Sequence, residues 1–403
     1  MVDNSETVRS QHQPDYGYGN HNPIEVIRIV PHIGSAALDP HASLDTIAES
    51  RVLFTEAELE EKVTEVADNY RVIGDPQSSE ANPKVFGVTI VNKHLLDEGI
   101  PGILMMSTTG SSLYDEKGNP NNEGNALELA YMAIKHPDRP IVFVESPGDG
   151  NSVDLENEEY REAAKDGKLI HETRGISGRI VKYEPFQTLQ SLARALEYSE
   201  IRVSHISSNG TGAHFSTALM TGMQQGAIER AFLYNPSNIS DRSTIALTIA
   251  NLMEITGQGK YAKLSKDPLR LTDERKKMAR RVMGSITKRK IDQARASTHN
   301  PIKLWRQQKI FRRGNGVGQS AAVQSVAAQM QHPNIKQTFV FPEFAAQYKS
   351  PEDFYEFMRI IGTLGGAAVE MTDIESLQIP LGQYGHSHYP TVRQTLEGYA
   401  FNR

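Results

Sequence analysis

Residues Ile201 to Asn235 read as strand, sharp turn, helix and strand, and this unit constrains what the rest of the chain can build. Ile201, Val203 and Ile206 give an extended apolar run. It ends in Ser207-Ser208-Asn209-Gly210-Thr211-Gly212-Ala213, where two glycines permit a turn few other residues can make. Phe215, Ala218, Leu219, Met220 and Met223 predict a helix over 213–225, and Ala231-Phe232-Leu233-Tyr234 predicts a short buried strand. A strand feeding a glycine-rich turn and then a helix presents a nucleophile, or a cradle of backbone amides, at the carboxyl edge of a parallel sheet.

At 403 residues, 38% of them hydrophobic, the chain is long enough for one large domain with an insertion, or for two domains. It has no cysteine, which excludes disulfides, thiolate zinc sites and a cysteine nucleophile. No His, Asp and Glu spacing is specific enough for a metal site, and no cofactor is expected. Gly210-x-Gly212 lacks both the P-loop lysine and the full dinucleotide fingerprint. No apolar run reaches membrane-spanning length, and the start lacks a basic end and an apolar signal core. The expectation is a soluble, cytoplasmic protein without membrane association, with a virion or other assembled particle equally compatible.

Charge is distributed unevenly. From Lys260 to Arg313 there are 18 Lys and Arg against 4 acids, a net of +14, so the remainder carries −20 of the overall −6. Arg275, Lys276, Arg280 and Arg281 share a predicted helix that Thr272 caps, and Lys288, Arg289 and Lys290 follow it. Such a split suits an anionic partner or an acidic protein surface, including a second copy's acidic core in a homo-oligomer. A solvated face is the plainer alternative. Nucleic acid ranks behind a protein surface, because Tyr261, Trp305 and Phe311 are the only rings nearby.

Residues 1–47 are polar and rich in His, Pro, Asn and Gly, and read as an arm with little core of its own. Thr55 and Glu58 form a capping-box signature ahead of Leu59, Val63 and Val66 on one helical face. Strands are expected at 70–73, 85–91, from Gly102, at 140–144, at 337–341 and at 367–371. Helices are expected over 125–135, through Phe186 to Leu196, over 351–361 and over 390–400. The pattern breaks between 238 and 330, where the basic segment lies.

The order of these elements resembles the α/β-hydrolase superfamily, over roughly 100–237 and 335–403. Ser146-Pro147-Gly148-Asp149-Gly150-Asn151-Ser152 is similar to that family's Asp-x-Pro-Gly-x-Gly-x-Ser loop, with Val144 read in place of its leading acid. Ser208-Asn209-Gly210-Thr211-Gly212 superposes on the family's Gly-x-Ser-x-Gly elbow and puts Gly210 where the nucleophile belongs. A register two residues earlier puts Ser208 there instead. The resemblance places Thr109, Gly110 and Ser111 at the oxyanion-hole loop, His386 (or His388) at the catalytic histidine, and Glu343 near the catalytic acid, whose own positions carry Ala345 and Ala346.

The resemblance implies an α/β fold: a mostly parallel sheet with helices on both faces and an inserted helical cap. The expected division is an arm over 1–47, a core over 48–237 and 331–403, and a basic cap over 238–330. Two functions stand. One is a degenerate member acting in binding or assembly, with glycine at the apex. The other is a serine ester or amide hydrolase using Ser208 and His386, oriented by Glu343.

Overall fold

The computed structural model describes residues 24–30, 55–78, 83–106, 113, 123–147, 152, 172–174, 180–182, 185–237, 239, 245, 246, 249, 321–342, 352–365, 369–375, 397, 400 and 401. Its strands are β1 Ile24–Val30, β2 Tyr70–Gly74, β3 Val85–Val91, β4 Gly102–Met106, β5 Ile141–Val144, β6 Glu172–Arg174, β7 Ile180–Lys182, β8 Val203–Asn209, β9 Arg230–Tyr234, β10 Lys336–Pro342 and β11 Val369–Glu375. Its helices are α1 Glu56–Asp68, α2 Lys93–Asp97, α3 Glu123–Lys135, α4 Pro185–Tyr198, α5 Gly210–Met220, α6 Ala321–Gln331 and α7 Glu352–Gly365.

Among the described residues nine strands form one sheet, in the order β2-β3-β5-β4-β8-β9-β10-β1-β11. Strand β3 runs antiparallel to both its neighbours, and the other pairs are parallel. Parallel strands need helices on both faces, so their side chains must be apolar to either side. That is what the central strands carry. Leu104, Met106, Val142 and Val144 join one core, and Ile103, Met105, Ile141 and Phe143 join the other. The first core packs under α4, α5, α6 and α7, and the second under α3 with Val66 of α1. The α/β class, the mostly parallel sheet and the α/β-hydrolase-like layering are therefore as the resemblance implies.

Several local expectations hold in detail. Thr55 Oγ1 accepts the Glu58 N–H at 3.2 Å while Glu58 Oε2 accepts the Thr55 N–H at 2.6 Å, closing the capping box of α1. Leu189, Leu192, Ala193 and Leu196 form the buried face of α4. Arg194, on the same helix, grips Asp75 beyond β2 with both forks, Nε to Oδ1 at 3.1 Å and Nη2 to Oδ2 at 2.6 Å. Burial pushes the Asp75 carboxyl up, but the hydrogen bonds from Arg194, the Gln77 N–H and Ser191 outweigh it and hold the group below its ordinary range.

Three expectations change. A polar arm over 1–47 does not describe residues 24–30: β1 lies inside the sheet, parallel to both β10 and β11. Five of the seven residues of Ile-Glu-Val-Ile-Arg-Ile-Val are β-branched, Ile24 and Val26 are fully buried, and Glu25 Oε2 accepts the Thr338 hydroxyl at 3.0 Å. The helix expected over 213–225 starts at Gly210 and stops at Met220, where the Thr221 and Gly222 amides turn back to Ala218 and Leu219. The cap expected over 238–330 does not describe residues 321–330, which belong to α6 on the first core; Arg275, Lys276, Arg280, Arg281, Lys288, Arg289 and Lys290 lie outside the described residues.

Candidate functional site

The carboxyl edge of β8 is the centre of the site. Asn209 ends the strand in extended conformation (φ −136°, ψ 153°), Gly210 turns left-handed at φ +57°, and α5 begins at once. A side chain at Gly210 would cost about 1–2 kcal/mol in backbone strain. Glycine stands at the apex of the turn. The Ser237 N–H, arriving just after β9, donates to the Gly210 C=O at 3.1 Å. Asn209 occupies the N-cap of α5 without a side-chain cap bond, so the helix's first-turn amides are left to other acceptors.

Ser208 faces another way. It is 1% exposed, and its Oγ accepts the Met106 N–H at 3.1 Å and the Ser216 hydroxyl at 2.8 Å. The hydroxyl stitches β8 to β4 and to α5. Of the residues expected at the site, the described structure brings together Ser208, Gly210, Thr211 and Gly212. Thr109, Gly110, Ser111, Glu343 and His386 lie outside the described residues.

The leading acid of the Pro-Gly loop is present, which corrects the reading that Val144 replaced it. Counted back from Pro147, the motif's first position is residue 145, and Glu145 occupies it; Val144 is the last residue of β5. Glu145 is fully buried, with Oε2 accepting the Tyr70 hydroxyl at 3.0 Å and Oε1 accepting the Leu113 N–H at 3.2 Å. Ser152, the motif's last residue, donates to the Glu145 C=O at 3.0 Å and accepts the Gly87 N–H at 3.1 Å. Ser152 thus ties the end of β5 to β3. Counting from Pro147 was the signal that would have found Glu145; nothing in the sequence marks Ser237.

His205 does not lie close to the elbow. It enters β8 five residues before Gly210, about 16 Å along an extended strand. It is a strand residue of the opposite edge, 5% exposed, with its ring edge-on to Phe401 at 5.0 Å and its Nδ1 2.9 Å from the Ser204 hydroxyl. Next to it, Glu397 is buried with Oε1 2.9 Å from His136 Nε2, while Arg139 donates to Ser204 and Arg230 to the Ala400 C=O. Burial, then the Arg139 and Arg230 charges, push His205 down to about 4.

That shift has a measurable consequence. Unfolded chains take up the His205 proton near pH 6.5, whereas the folded protein refuses it until about pH 4. Stability is therefore complete above pH 6.5 and declines as pH falls towards 4, with a slope approaching about 1.4 kcal/mol per pH unit for one such group. His332, also lowered, chiefly by burial, adds in the same direction. Denaturation midpoints measured across this window should fall less steeply in His205→Gln than in the wild type. Equal slopes would remove His205 from the account.

Among the described residues no group of three His, Asp or Glu is placed to hold a metal, and no helix is long and apolar enough to cross a membrane. No protein-family model matches the sequence, and no curated protein matches it. Solved structures similar to the chain include the naproxen esterase of Bacillus subtilis, at 9% identity over 86% of this chain and 99% of that one, with a TM-score of 0.40. A proline iminopeptidase of Mycobacterium smegmatis is similar at 11% identity over 82% and 96%, TM-score 0.42. A haloalkane dehalogenase of Bradyrhizobium elkani is similar at 10% identity over 83% and 98%, TM-score 0.38. The fold is α/β-hydrolase-like on the chain's own strand order.

Proposed function

We propose that this chain is a binding or assembly protein on an α/β-hydrolase-like scaffold, in which the elbow carries no nucleophile. One observation supports the reading above the others: Gly210, at φ +57°, is the residue between the end of β8 and the start of α5. Acyl transfer needs a hydroxyl next to a base and amides aimed at the developing oxyanion, and glycine has no side-chain atom to attack with. The rival reading needs the Ser208 hydroxyl. That oxygen sits in the strand, already accepting two hydrogen bonds, with almost no exposed surface.

A broad serine-reactive fluorophosphonate probe tests the reading on the wild type, Ser208→Ala and His386→Ala. No labelling is expected in any of them. Ser208→Ala should instead lower stability by about 1–3 kcal/mol, because the buried Met106 N–H loses its acceptor. Labelling of the wild type that both substitutions abolish would establish a serine hydrolase and overturn the proposal.

A further inference from the structure

Three polar atoms at the elbow have no hydrogen-bond partner: Thr211 Oγ1, Ser237 Oγ and Asn209 Oδ1. Thr211 and Ser237 are wholly buried. Buried polar groups are satisfied in nine cases of ten or more, as a rough rule, and leaving one unmade costs about 1–3 kcal/mol. Three at one turn therefore point to something beyond the chain's own packing. Thr211 lies in the first turn of α5, Asn209 is its N-cap, and Ser237 is held against the apex by its N–H bond to the Gly210 C=O. The same turn carries the first amides of an 11-residue helix, which have no acceptor within it and mark the positive end of its dipole. At the apex itself there is no side chain.

We propose that the elbow binds a carboxylate group, held over Gly210 by the first-turn amides of α5 and by the hydroxyls of Thr211 and Ser237. This rests on the non-catalytic reading of the elbow. Amides and hydroxyls supply donors, and an anion that only accepts is their natural complement. Charge selects the class. A helix N-terminus is equivalent to about half a positive charge, which suits a singly charged group. Residues 203–220 and 230–237 hold no Lys or Arg except Arg230, which is at the far end of β9 and bonds the Ala400 C=O. A phosphate dianion would call for such a cation. Asn209 completes the ring of donors when its amide is turned end over end to present Nδ2.

Formate, the smallest carboxylate, is the probe, titrated into the full chain labelled with nitrogen-15 while the Gly210, Thr211 and Gly212 amide resonances are followed. Inorganic phosphate at the same ionic strength is the comparison. Saturable shifts with formate and none with phosphate are expected. Thr211→Val and Ser237→Ala should each weaken formate binding about tenfold. Neither should lower the ligand-free denaturation midpoint, since each removes an unpaired buried hydroxyl, and this shows that the variants are folded. Absence of a saturable formate shift, wild-type affinity in both variants, or preference for phosphate overturns the proposal. If formate is silent and the fluorophosphonate probe also fails to label the protein, the carboxylate site falls alone. Labelling at Ser208 removes both readings.

Discussion

Gly87→Ala is expected to destabilise the protein by about 3 kcal/mol, the upper part of the range for overpacking a buried site. Gly87 lies in β3, paired on both sides with antiparallel strands, so its backbone cannot withdraw. A Cβ there would overlap Glu145 Oε2, and would stand only 2.5 Å from the Tyr70 hydroxyl and 2.8 Å from Glu145 Cδ. The carboxylate cannot swing aside freely either. It is fully buried, and its two oxygens accept the Tyr70 hydroxyl and the Leu113 N–H. The substitution therefore sets strain in the sheet against loss of the buried hydrogen bonds that the Glu145 carboxyl accepts. Urea denaturation of Gly87→Ala, Glu145→Ala and the double variant checks the cause. Removing the carboxylate removes the overlap, so the double variant should lose clearly less than the two single losses added together. Strict additivity would mean that Gly87 matters for a reason other than Glu145.

Glu397→Ala should cost more, about 3–5 kcal/mol, because it takes the carboxylate partner from the buried Lys135 ammonium. Glu397 is wholly buried, 2.9 Å from His136 Nε2 and 3.7 Å from Lys135 Nζ, and the Lys135 side chain is itself only 5% exposed. Phe401, one turn further on, packs against both His136 and His205. Loss of the carboxylate thus loosens the attachment of these C-terminal residues to the amino edge of the sheet. Denaturation measures the loss, and hydrogen exchange of the Arg230 and Ser204 amides reports where it falls. Glu397→Leu combined with Lys135→Met removes both members of the pair and should recover most of the stability, since apolar replacement of a buried ion pair is commonly neutral or better. A double variant as unstable as Glu397→Ala would show that packing, not charge, is what Glu397 provides.

Much of this site is legible in the amino-acid sequence. Gly210 at the apex follows from Ser208-Asn209-Gly210-Thr211-Gly212 between a β-branched run and an apolar helix, and the structure gives that glycine the positive φ only glycine adopts freely. The hydroxyl of Ser208 was not legible in the same way. Both registers of the elbow fit the sequence, and the burial of Ser208 against Met106 and Ser216 is what sets it apart from the apex. His205 stands only five residues before Gly210 in the chain. In an extended strand that separation spans most of the sheet's width.

The sequence by itself determined what is decided within a few residues. The Thr55–Glu58 capping box closes over three positions, the alternation of β4 and β5 sets which side chains face which helix layer, and the Gly210 turn needs only its neighbours. Tertiary structure alone decided what depends on distant partners. Strand β1 becomes an interior strand because β10 and β11, more than 300 positions later, leave a place between them, as the Glu25–Thr338 bond marks. Tyr70 meets Glu145 across 75 positions and Met106 meets Ser208 across 102. Such pairings satisfy buried polar groups whose partners no local pattern names, so only closure of the sheet specifies them.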